Sequence, residues 1–66
     1  VIPSSVENIG ERAFYKDSYS NSNLVKIVNK TGKSFAWERI INDISSSSFI
    51  TGTVPNDYGN VEVVSE

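Results

Sequence analysis

The chain has no cysteine, no histidine and no methionine in 66 residues, and this absence limits its fold more than any motif it carries. A disulfide is impossible, and so is a zinc site built on thiolates or imidazoles. Catalytic arrangements that need Ser-His, Cys-His or paired cysteines are excluded with them. A domain of this size hides only about 60% of its unfolded surface on folding. Apolar burial and the entropy of ordering the chain then nearly cancel. Whatever holds this chain together is close packing of aliphatic and aromatic side chains, without a covalent or metal staple.

Charge and composition narrow the class further. Six basic and eight acidic residues leave a net charge of −2. Nucleic-acid binding needs a basic stripe to displace counterions from phosphates, and none is present. Lys26, Lys30 and Lys33 come nearest, but Glu38 and Asp43 follow closely and the group reads as ordinary solvated side chains. No run of eighteen apolar residues occurs, so no membrane-spanning helix is expected. Eleven serines and seven asparagines, with four glycines and two prolines, suit short strands joined by frequent turns better than a helical bundle. Aromatic residues make up 11% of the chain, enough to seed a small core.

Along the chain, Val1-Ile2-Pro3 reads as the middle of a strand cut short by proline, which suggests a portion of a longer protein. Ser4 and Ser5 make a turn, and Val6 and Ile9 face one way. Residues 11–15 allow a single helical or 3₁₀ turn with Ala13 and Phe14 pointing inward. Residues 16–23 hold one aromatic and no aliphatic residue and are expected to form a mobile surface loop. A strand is predicted over 24–28, with Leu24 and Ile27 in the core, followed by a turn over 29–33. Ser34 can cap a helix over about 35–42, with Phe35, Trp37, Ile40, Ile41 and Ile44 as its apolar positions and Glu38 near its positive end. The serine run 45–48 reads as a linker. Residues 49–54 and 61–64 are rich in branched and aromatic side chains and flank a dense turn signal at 55–60. They predict an antiparallel hairpin over about 49–64.

The pattern Ile2-Pro3-x-Ser5-Val6-x-x-Ile9-Gly10-x-x-Ala13-Phe14, followed by Leu24-x-x-Ile27, resembles the BspA-type leucine-rich repeat of bacterial surface proteins. One copy is present, less its opening, and a second begins. The second departs at Asn29-Lys30, where the family has an apolar residue and proline. The resemblance implies an α+β, mostly β fold. Residues 1–28 would be a terminal repeat and the start of the next, the truncated end of a solenoid. Residues 29–66 would be a C-terminal cap carrying the short helix and the hairpin. It also implies a secreted or cell-surface protein whose role is adhesion or protein–protein interaction. With the preceding layer cut away, Val1, Ile2, Val6 and Phe14 would form a bare apolar face, and weak self-association through it is expected.

Individual residues point to binding rather than chemistry. Glu7 and Glu11 are four apart but have no second catalytic cluster near them in the sequence. Asp43 and Asp57 lack the twelve-residue loop pattern of a calcium site. No metal, cofactor or catalytic residue is expected. Asn29-Lys30-Thr31 is formally a glycosylation sequon, expected to stay unused. Three aromatics are candidate partner contacts: Tyr58 at the hairpin tip, Tyr19 in the 16–23 loop, and Trp37, which the helical spacing places more naturally in the core. The function expected is a non-catalytic structural or binding module, its partner a host or cell-surface protein or a glycan. The alternative is an accessory carbohydrate-binding domain of a secreted hydrolase.

Overall fold

In the computed structural model, which describes residues 1–66, the regular elements are three strands and one short helix. They run β1 (Lys26–Asn29), α1 (Trp37–Asn42), β2 (Gly52–Val54) and β3 (Val61–Ser65). The class is α+β, mostly β. No helix is long and apolar enough to cross a membrane.

The expected hairpin is present. β2 and β3 pair antiparallel, with Gly52 opposite Val63 and Val54 opposite Val61. Period-two alternation puts Val54, Val61 and Val63 inside and Thr53 and Glu62 outside. The turn between them closes with the Gly59 N–H on the Asn56 carbonyl at 3.1 Å. Gly59 sits at φ 121°, a backbone conformation that disfavours a Cβ.

β3 is also the central strand of the sheet, whose order is β1-β3-β2. Its other neighbour, β1, runs parallel to it with Ile27 beside Val63. Ile27 and Val63 share the buried face, while Lys26 and Glu62 lie side by side on the exposed one. On the far edge of β1, Ile2 forms a parallel bridge with Asn29. The Ile2 N–H donates to the Val28 carbonyl at 2.7 Å, and the Lys30 N–H donates to the Ile2 carbonyl at 3.0 Å. Successive backbone groups of a strand point to opposite edges, so Val28 and Lys30 serve Ile2. Val25, whose carbonyl accepts the Glu62 N–H at 3.0 Å, faces β3.

The bare apolar face expected at the first segment is therefore mostly covered. Ile2 is 6% exposed and belongs to the core. Val6 and Phe14 are partly buried against that core, and only Val1, 80% exposed, stays in solvent. Pro3 leaves the outer edge of this segment without a backbone donor at its position.

The helix is shorter than expected and is not capped by Ser34. It begins after Ala36, which makes no side-chain cap bond. Phe35 is instead drawn into an antiparallel bridge with Phe49, each N–H donating to the other's carbonyl at 3.1 Å. Trp37, Ile40 and Ile41 are all buried, at the i, i+3 and i+4 positions of one face. Ile44 lies beyond the helix and is exposed, not part of that face. Asp43 ends the helix in the left-handed conformation, at φ 58° and ψ 36°.

The carbonyls at a helix C-terminus lack intrahelical partners. Here an earlier stretch supplies them. The N–H groups of Arg12, Phe14 and Lys16 donate to the carbonyls of Arg39, Ile40 and Ile41 at 3.2, 3.3 and 2.9 Å. This docking turns Phe14 toward the core and leaves Ala13 exposed, contrary to its expected inward direction.

Two polar residues lie inside. Asn29, expected in a turn, ends β1 with 0% exposure. Its amide donates to the carbonyls of Lys33 at 3.0 Å and Ile50 at 3.2 Å, and its Oδ1 accepts from the Thr31 N–H at 3.0 Å and hydroxyl at 2.6 Å. The sequon is thus folded in on itself, both of its side chains being engaged. Lys16, expected at the start of a surface loop, is 3% exposed, and its Nζ donates to the Leu24 carbonyl at 2.6 Å.

Candidate binding groove

The three aromatics singled out from the sequence have different fates. Trp37 is 0% exposed, its indole Nε1 donates to the Phe49 carbonyl at 2.8 Å, and its ring meets Phe35 edge-on at 5.4 Å between centroids. It holds the core and is not a partner contact. Tyr19 is 93% exposed at the tip of its loop, and no cavity involves it. Tyr58 is 55% exposed and lines an open groove of about 360 Å³.

Three separate parts of the chain build that groove. It is lined by Tyr15, Lys16 and Asp17, by Asn42 and Ile44 at the end of α1, and by residues 55–58. Side-chain amides lock the parts together. Asn56 Nδ2 donates to Asn42 Oδ1 at 2.6 Å and to the Lys16 carbonyl at 3.2 Å. Asn42 Nδ2 donates to the Pro55 carbonyl at 2.7 Å, and Asn56 Oδ1 receives the Tyr58 N–H at 2.8 Å. The groove is thus preformed by the fold itself, as small-ligand sites usually are.

Its charges are disposed in a particular way. The Lys16 ammonium is turned away into the protein toward Leu24, where Gly59 makes room for it: a Cβ there would come within 3.3 Å of Nζ. The Asp17 carboxylate accepts the N–H groups of Tyr19 and Ser20. Asp57 lines the groove, and its carboxylate makes no hydrogen bond or ion pair within the chain. Behind Tyr15, the Arg12 guanidinium carbon sits 5.8 Å from the ring centroid. Arg12 is itself paired with Asp43. That pairing, chiefly the hydrogen bond, holds the Asp43 carboxyl below its ordinary value and raises the Arg12 guanidinium above its own.

The other acidic residues do not converge. Glu11 is paired with Arg39 at 2.8 Å, and neither lines the groove. No three His, Cys, Asp or Glu side chains gather where a metal ion could sit. Sequence reasoning found Tyr58 and missed Tyr15, Lys16, Asn42 and Asn56. Only the abundance of asparagine beside turns hinted at the amide latch. No protein-family model, curated protein or solved structure matches the chain.

Proposed function

We propose that the chain is a non-catalytic structural and binding module that closes one end of a stack of parallel repeats in a bacterial cell-surface or secreted protein, where it serves adhesion or protein–protein interaction. One observation carries this reading. Ile2 bridges Asn29 in parallel, and these are the two positions that the repeat pattern equates. Beyond β1 lies β3, again parallel, and then the antiparallel β2 at the outer edge. A stack of parallel layers that ends in an antiparallel edge strand suits a terminal cap. The departure at Asn29-Lys30 fits the same reading, because Asn29 spends its side chain on fastening the loops of the cap rather than on an apolar layer.

The test is to join a second copy of residues 1–27 ahead of Val1. If the first segment is a repeating layer, the added copy stacks on it. The fused chain then unfolds in one cooperative transition at a higher temperature. An added copy whose amides exchange freely, with the melting temperature unchanged, would defeat the reading.

A second reading, an accessory carbohydrate-binding domain of a secreted hydrolase, is favoured by one feature: Tyr58 exposed on the wall of a preformed polar groove.

A further inference from the structure

We infer that the groove between residues 15–17, the end of α1 and the 55–58 turn takes a neutral saccharide, with Tyr15 and Tyr58 as its apolar walls and Asp57 and Asn42 as its hydroxyl contacts. The inference deepens the reading of the chain as a binding module and rests on it. It uses none of the residues that pair the first segment with β1.

Three observations lead to it. First, seven large apolar or aromatic side chains are exposed, and three of them, Tyr15, Ile44 and Tyr58, line this one groove. Such concentration in a polar surround marks a contact site rather than scattered surface residues. Tyrosines suit ligands that are apolar on one face and hydroxylated at the edge.

Second, beside the two tyrosine hydroxyls, which donate and accept alike, the capacity left over among the amides and carboxylates of the groove is mostly acceptor. Both N–H groups of Asn56 are spent, on Asn42 and on the Lys16 carbonyl. Asn42 has used one N–H, on Pro55, and keeps one. Asp57 offers a carboxylate with no partner of its own, and a carboxylate only accepts. A ligand that satisfies this set brings several donors and few acceptors to one edge, as vicinal hydroxyls do when they share a carboxylate.

Third, charge argues against an anion, and the occupied face of Tyr15 argues against a stacked cation. Asp57 repels an anion, and the one ammonium in the wall, Lys16, is committed to Leu24. Arg12, paired with Asp43, already lies over the Tyr15 ring and takes the place on that face that an organic cation would stack on. The volume, about 360 Å³, is at the lower end of small-ligand sites and fits one or two sugar rings.

The test is an array of neutral and acidic oligosaccharides, followed by amide chemical-shift titration of the whole chain with the best neutral binder, and with glucuronate and tetramethylammonium as charged probes. The expected result is saturable shifts confined to residues 15–17, 42–44 and 55–59 with a neutral sugar. Tyr58→Ala should weaken binding about tenfold, equivalent to roughly 1.4 kcal/mol. Asp57→Asn should weaken it as well, and Tyr19→Ala should leave it unchanged. Tyr58 is exposed, so its variant is expected to keep wild-type amide dispersion, which the same spectra report. Absence of any neutral binder, an unchanged affinity in Tyr58→Ala, or shifts at this site driven only by glucuronate or only by tetramethylammonium would overturn the inference. The stacking test with the added repeat would be unaffected by any of those results, so failure of the sugar site and failure of the module reading are separable.

Discussion

Trp37 and Phe49 are joined by a hydrogen bond from the indole Nε1 to the backbone carbonyl, at 2.8 Å. The same carbonyl accepts the Phe35 N–H at 3.1 Å. The start of α1 and the segment that leads into β2 are thereby fastened at one oxygen, with Trp37 fully buried. Replacing Trp37 by Ala should cost about 3–5 kcal/mol. A domain this small has about that much stability in total. The variant should lose amide dispersion and near-ultraviolet circular dichroism at room temperature. Trp37→Phe, which keeps most of the volume and loses the hydrogen bond, should remain folded with a lower melting temperature. A well-dispersed Trp37→Ala spectrum would show that the core does not depend on this side chain.

Asn29 ties two segments with one side chain, bonding Thr31 and Lys33 in the turn after β1 and Ile50 ahead of β2. Asn29→Ala removes four hydrogen bonds of a buried side chain and leaves partly buried carbonyls to find other partners, which should cost about 1–3 kcal/mol. Urea unfolding measures this as a lower midpoint at unchanged slope. Asn29→Asp cannot donate to either carbonyl and should be at least as damaging. A variant as stable as the parent would mean that water replaces these bonds at no net loss.

Gly59 serves both the turn and the buried ammonium. Its φ of 121° disfavours a side chain, and an added Cβ would lie 3.3 Å from Lys16 Nζ. Gly59→Ala should destabilise by about 1–3 kcal/mol. Shifts in its amide spectrum should be centred on residues 16, 24 and 56. A neutral substitution there would indicate that the turn relaxes freely and that the groove wall is not rigid.

The Arg12–Asp43 pair gives a pH signature. Hydrogen bonding from Arg12 holds the Asp43 carboxyl below its ordinary 3.8, helped by the positive charges of Arg12 and Arg39 and opposed by partial desolvation. A depressed carboxyl contributes stability above its unfolded value, and that contribution is lost as the pH falls through the folded value. The Arg12 side chain is 63% exposed and that of Asp43 32%, so water screens the pair and its effect on stability should be small. The cleaner readout is the Asp43 titration followed by carbon NMR. Arg12→Gln should raise its midpoint toward 3.8. An unmoved midpoint would mean that the pair does not persist in solution.

What the sequence disclosed follows the range of the interactions involved. The β2–β3 hairpin was legible because strand alternation and turn residues are adjacent in the chain. The buried face of α1 was legible from the spacing of Trp37, Ile40 and Ile41. The true start of α1 was not, because Phe35 is taken by a partner fourteen residues away, Phe49. The parallel pairing of β1 with β3 is set by the whole intervening crossover and leaves no local mark. Asn29 and Lys16 misled for one reason: a polar residue in a turn-rich stretch looks solvated until the carbonyls that bury it are known. Of the groove, only Tyr58 stood out. The rest of its lining includes residues some forty positions earlier, held by the bond between Asn56 and Lys16.

The first segment pairs as a parallel layer beside β1, and hydrogen exchange at two amides reads that pairing. The Ile2 N–H donates to Val28 and the Lys30 N–H donates to Ile2, so both should exchange slowly, within the range of the β3 amides. Exchange at the rate of an unfolded chain for Ile2 and Lys30, while Val61 and Val63 stay protected, would contradict it.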